Sequence, residues 1–135
     1  VILHEGYAEA RALDLLVEAK LWPVAEVRRT RAGVEQRCMM ALARGRLYEQ
    51  AEAGNRDATY ACGAMLWLAA SAKADLPLDL FYREYAQAME HPAGLGPWLQ
   101  DTMGREFTRS AIRFVTQDYS HAPAAALEGL AAGRL

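Results

Sequence analysis

The run from Ala58 to Ala72 carries no charge between Asp57 and Lys73, and this constrains the chain more than any other feature. At 1.5 Å per residue a helix over this run is about 22 Å long, short of the roughly 30 Å of hydrocarbon in a bilayer. It is therefore read as a core helix rather than a membrane span. Met65, Leu66, Trp67 and Leu68 sit among alanines and Gly63, leaving no polar side, so other helices have to surround it. Small residues at Ala61, Ala64, Ala69 and Ala72 allow those neighbours to come close.

The expectation is an all-α fold, a compact bundle of about five to six helices around a buried central apolar helix at about 58–72. Residues 1–135 are short enough to form one helical domain with one core. The composition, 53% hydrophobic and 24% charged, is that of a chain that folds, and abundant Ala with sparse Val, Ile and Thr favours helix over strand. The chain opens on Val1 rather than Met, which is read as a fragment or processing boundary.

Apolar spacing places the first helix at about His4 to Leu21, with Leu3, Tyr7, Ala10, Leu13, Leu16, Val17 and Leu21 inward. Trp22-Pro23 stops it. A long second helix is predicted from Pro23 to about Glu52, marked by Val24, Val27, Val34, Cys38, Ala41, Leu42 and Tyr48, with a bend or break at Gly33 or Gly45. Gly54-Asn55 ends it, and Asp57 is the expected N-cap of the central helix. A fourth helix turns Leu78, Phe81, Tyr82, Tyr85, Ala88 and Met89 inward. A fifth runs from Pro97 to about Asp118, and a short sixth from about Ala124 to Ala132.

The residues that carry chemistry are scattered. His4, His91, His121, Cys38 and Cys62 form no close ligand pairs of the kind a zinc or di-iron site needs, and Asp118-x-x-His121 occurs once, at an expected helix end. No metal and no cofactor is expected. Cys38 and Cys62 fall in apolar helical stretches with no framework spacing, and are read as two buried free thiols of a cytoplasmic protein. Neither a nucleophile elbow nor a phosphate-binding glycine loop appears, so no catalytic residue is assigned. Glu5, Glu9, Asp14 and Glu18 leave a carboxylate-metal enzyme as a distant alternative, weakened by their spread round the helix and by the interleaved Arg11 and Lys20.

Charge is most uneven on the second helix, where the stretch from Arg28 to Arg46 holds Arg28, Arg29, Arg31, Arg37, Arg44 and Arg46 against the single acid Glu35. At 100° per residue, Arg28, Arg31 and Arg46 fall toward one side and Arg29, Arg37 and Arg44 toward another. Such a face suits an acidic protein partner, phosphates, or internal acids such as Glu84, Glu90 or Asp101. Trp22 and Trp98, each beside a proline at a helix boundary, are the candidate aromatic anchors. With no assembled catalytic constellation, the leading expectation is a non-enzymatic protein-protein interaction module using this basic face, with an acidic protein as partner. A nucleic-acid-binding domain is the alternative, disfavoured by a net charge of −2. No membrane is expected, and a homo-oligomer stays open.

Overall fold

A computed structural model describes residues 2–18, 20 and 22–135, and of residues 16–18 the backbone alone. The described residues form α-helices and no strand, in the order α1 (Ile2–Glu18), α2 (Val24–Ala43), α3 (Leu47–Glu52), a π-helical turn (Asp57–Ala61), α4 (Cys62–Ala74), α5 (Leu78–Glu90), α6 (Leu95–Met103), α7 (Arg105–Thr116) and α8 (Pro123–Ala132). Among the described residues, eight α-helices replace the expected five to six because two long apolar patterns are each cut by a glycine.

The first cut is at Gly45, whose φ of +123° no helix interior tolerates, and it divides the expected second helix into α2 and α3. Gly33 leaves α2 unbroken. The Gln50 side-chain amide donates to Ala41 O at 2.7 Å, which also accepts from Arg44 N, and to Gly45 O at 2.9 Å, so a side chain of α3 helps to satisfy the carbonyls at the bend. The second cut is at Gly104, with φ +81°, which ends α6 and starts α7 inside the segment expected to be one helix.

The central helix begins differently from expectation. Asn55, rather than Asp57, supplies the cap, its Oδ1 accepting from Asp57 N at 3.0 Å. A π-helical turn follows and buries Ala58, Thr59 and Ala61, with the Thr59 hydroxyl donating to Arg56 O at 3.1 Å. In α4, Cys62, Gly63, Ala64, Leu66, Trp67 and Ala70 are buried. This stretch is the middle of the fold, with α1 laid along it, α2 against it and the π turn, and α5 to α8 closing the remaining sides.

Periodicity holds where neighbours cover a helix. Ala10 and Leu13 of α1 are buried, as are Leu78, Phe81, Tyr85 and Ala88 of α5, Phe107 and Phe114 of α7, and Ala126, Leu127 and Leu130 of α8. The expected inward residues Leu16, Val17 and Leu21 lie outside the described side chains. Val24, Tyr48 and Met89, all expected inward, are exposed instead, because the helix faces that carry them have no neighbour to cover them.

Cys38 and Cys62 are not free thiols. They form a disulfide joining α2 to α4, with Cα atoms 4.7 Å apart across a sequence separation of 24. Each cysteine sits on the face of its helix turned to the other, so the apolar surroundings that suggested inert thiols also align the pair. The expectation of a cytoplasmic protein loses its thiol argument, since disulfides persist chiefly in oxidising compartments. None of the described helices is long and apolar enough to cross a membrane.

Candidate interaction face on the second helix

Pro23 starts α2: its φ of −58° and ψ of 145° turn the chain, and its carbonyl accepts from Glu26 N at 2.9 Å and Val27 N at 3.2 Å. Burial along the helix is one-sided in sequence as well as in space. Val34, Cys38, Ala41 and Leu42 are buried, one stripe through the C-terminal half that the Cys38–Cys62 disulfide clamps to α4. From Val24 to Gly33 no residue is buried; Val27 and Thr30 are half covered and the others exposed. The first half of α2 therefore presents nearly its whole circumference to solvent.

The six arginines do not act as one surface. Arg29 pairs with Glu26 one turn back, and Arg46 with Glu49 at 3.1 Å, both pairs being exposed. Arg37 bridges Glu9 of α1 and Asp57 of the π turn, the latter at 3.7 Å, and so ties three elements together. These partners differ from the acids expected at Glu84, Glu90 and Asp101. Glu26 and Glu49 lie three residues from their arginines, a spacing legible in the sequence, whereas Glu9 and Asp57 meet Arg37 only through the fold.

Arg28, Arg31 and Arg44 are exposed and form no ion pair among the described residues. Arg44 closes the C-terminus of α2, where its charge offsets the helix dipole. Arg28 and Arg31 remain, within about 60° of one another and on either side of Val24 round the axis. Val24 is 60% exposed and Trp22, just before the helix, 46%. The candidate face is thus smaller than the sequence suggested: Trp22, Val24, Arg28 and Arg31.

Trp98 does not belong to it. Its ring packs 5.3 Å from Phe81 and 6.4 Å from Tyr85, on the other side of the central helix's aromatic cluster. The acids of the first helix are also dispersed: Glu9 is held by Arg37, and the Glu5 side chain hydrogen-bonds Tyr60 and holds that phenol above its ordinary pKa. Glu18 lies outside the described side chains. Among the described residues no three His, Cys, Asp or Glu groups lie together in a way that would hold a metal ion. His91 Nδ1 accepts from Ala93 N at 3.1 Å, closing the turn after α5.

Charge, exposure and a free helical half are what this face offers: it can grip anionic groups with two guanidinium forks and cover apolar surface with Trp22 and Val24, but it assembles no nucleophile, base or oxyanion donor set. No protein family, curated protein sequence or solved structure matches this chain.

Proposed function

We propose that this chain is a non-enzymatic helical binding module that takes an acidic protein partner along the first half of α2. One observation carries the reading: no residue between Val24 and Gly33 is buried, yet Arg28 and Arg31 stand there with no ion pair among the described residues, beside the exposed Trp22 and Val24. A helical segment with only two half-covered residues gains little stability from packing in water. A partner helix with an apolar seam flanked by carboxylates would cover Val24 and Trp22 and pair both arginines, and Trp and Arg are the residue types that concentrate interface energy.

Nucleic acid is the weaker reading because the pairing of Arg29, Arg37 and Arg46 leaves few guanidiniums for phosphates on any one side. The test is a calorimetric titration with a helical peptide of leucines flanked by glutamates, followed by hydrogen exchange. Binding that protects Val24 to Gly33, weakens with salt and disappears in Arg28→Glu/Arg31→Glu supports the module. Binding that survives the double reversal, or tight salt-dependent binding to random duplex DNA in place of the peptide, overturns it.

A further inference from the structure

Beside the central helix, the fold forms a cleft of about 540 Å³. Its lining comes from α1 and from α3 to α7, with no contribution from α2, so it is independent of the face described above. Trp67, Tyr85 and Phe107, each at most 4% exposed, show that the cleft reaches into the core. Tyr48, Met89 and Ile112 line it too and are each more than half exposed, which places them at the opening.

The volume falls in the roughly 300–1,000 Å³ range of small-molecule sites, and the lining is almost wholly aliphatic and aromatic. The hydroxyls of Thr108 and Thr116 are already donated, to Gly104 O at 2.9 Å and Ile112 O at 2.8 Å. Among the described residues the only charged one in the lining is Glu52, which is exposed, and no described Arg, Lys or His lines the space. Water in such a space makes few hydrogen bonds, and an empty space forfeits dispersion contacts, so a hydrocarbon occupant gains on both counts.

We propose that this cleft binds a small, largely hydrocarbon molecule with an uncharged or cationic head, the head lying at Glu52. A fatty acid of the same chain length is disfavoured, because its carboxylate would meet Glu52 and find no base. A partner helix is excluded from the floor on size, being about 10 Å across with its side chains.

The test uses the neutral fluorophore N-phenyl-1-naphthylamine, displaced by dodecanol, dodecyltrimethylammonium or dodecanoate at neutral pH and low salt. One probe should bind per folded chain, with energy transfer from Trp67 and Trp98, and dodecanol and the ammonium should displace it about fivefold more effectively than dodecanoate. Ala111→Phe, which fills the cleft from α7, should weaken the probe about tenfold. Glu52→Arg, on the exposed rim, should leave probe binding in place and bring dodecanoate level with or ahead of dodecanol. Should Ala111→Phe fail to fold, the Glu52→Arg ranking decides. Absence of probe binding, equal displacement by all three amphiphiles in both proteins, or undiminished binding in folded Ala111→Phe overturns the proposal. Arg28→Glu/Arg31→Glu should bind the probe normally, so the two sites fail or stand separately.

Discussion

Gly6 of α1 and Gly63 of α4 meet backbone to backbone. A Cβ built at Gly63 would lie 2.7 Å from Gly6 Cα, and one built at Gly6 would lie 2.7 Å from Ala64 N, in addition to closer contacts with Ile2 O and with the Gly63 backbone. Neither neighbour is a side-chain tip that can swing away. This contact lets α1 lie directly on the central helix and brings Leu3 O within reach of the Trp67 indole N–H, which donates to it.

Gly63→Ala should therefore push two helices apart rather than fill a gap. The expected loss is about 3 kcal/mol, measured by urea denaturation. Gly33→Ala is the control: a Cβ there meets nothing, so it should stabilise α2 by about 0.5–1 kcal/mol. Equal effects at the two glycines would show that α1 does not sit on α4 in this way.

Trp67 is 1% exposed and makes edge contacts with Tyr7, Phe81 and Tyr85 at ring separations of 5.5, 5.3 and 5.1 Å. Trp67→Ala should cost about 3–5 kcal/mol in chemical denaturation. Trp67→Phe keeps most of the ring packing, gives up the bond to Leu3 O, and should cost less, on the order of 1–3 kcal/mol.

The Cys38–Cys62 disulfide closes a loop whose ends are 24 residues apart, which restricts the unfolded chain by about 3 kcal/mol. Denaturation midpoints with and without a strong reductant should differ accordingly. Cys38→Ser/Cys62→Ser should fall with the reduced protein and respond to reductant no further. A midpoint indifferent to reductant would show that the bond does not form in solution.

Reversal of arginine charges should separate the internal pairs from the free face. Arg37→Glu sets a third carboxylate against Glu9 and Asp57 and should lower stability by about 1 kcal/mol or slightly more at low salt, less at high salt. Arg28→Glu/Arg31→Glu touches no pair among the described residues and should change it by less than about 0.5 kcal/mol. Thermal melts of both variants at two ionic strengths check the contrast.

Burial raises the pKa of Tyr7, Tyr85 and Tyr119 above the usual 10.0, and the hydrogen bond with Glu5 raises that of Tyr60. The folded state thus holds the phenol protons more firmly than the unfolded chain. Their contribution is complete below the unfolded value of 10.0 and is lost as pH rises through the higher folded values. Stability measured by denaturation should be flat with respect to tyrosine ionisation at neutral pH and fall steeply above about pH 10. Absorbance titration should show phenolate forming late and together with unfolding.

The all-helical class, the central helix and the inward stripes of α5 and α7 are consequences of local composition and period, which any reader of the chain can count. An uncharged run holding Leu66 and Trp67 has to be buried whatever surrounds it, because no polar side is available to face water. Distances between segments carry no such local mark. That Cys38 faces Cys62, that Arg37 meets Glu9 and Asp57, and that Gly6 rests on Gly63 depend on how α1 and α2 are laid against α4. Exposure of Val24, Tyr48 and Met89 has the same origin: an apolar residue is inward only if a neighbour arrives to cover it, and the tertiary arrangement left the start of α2 and the mouth of the cleft uncovered.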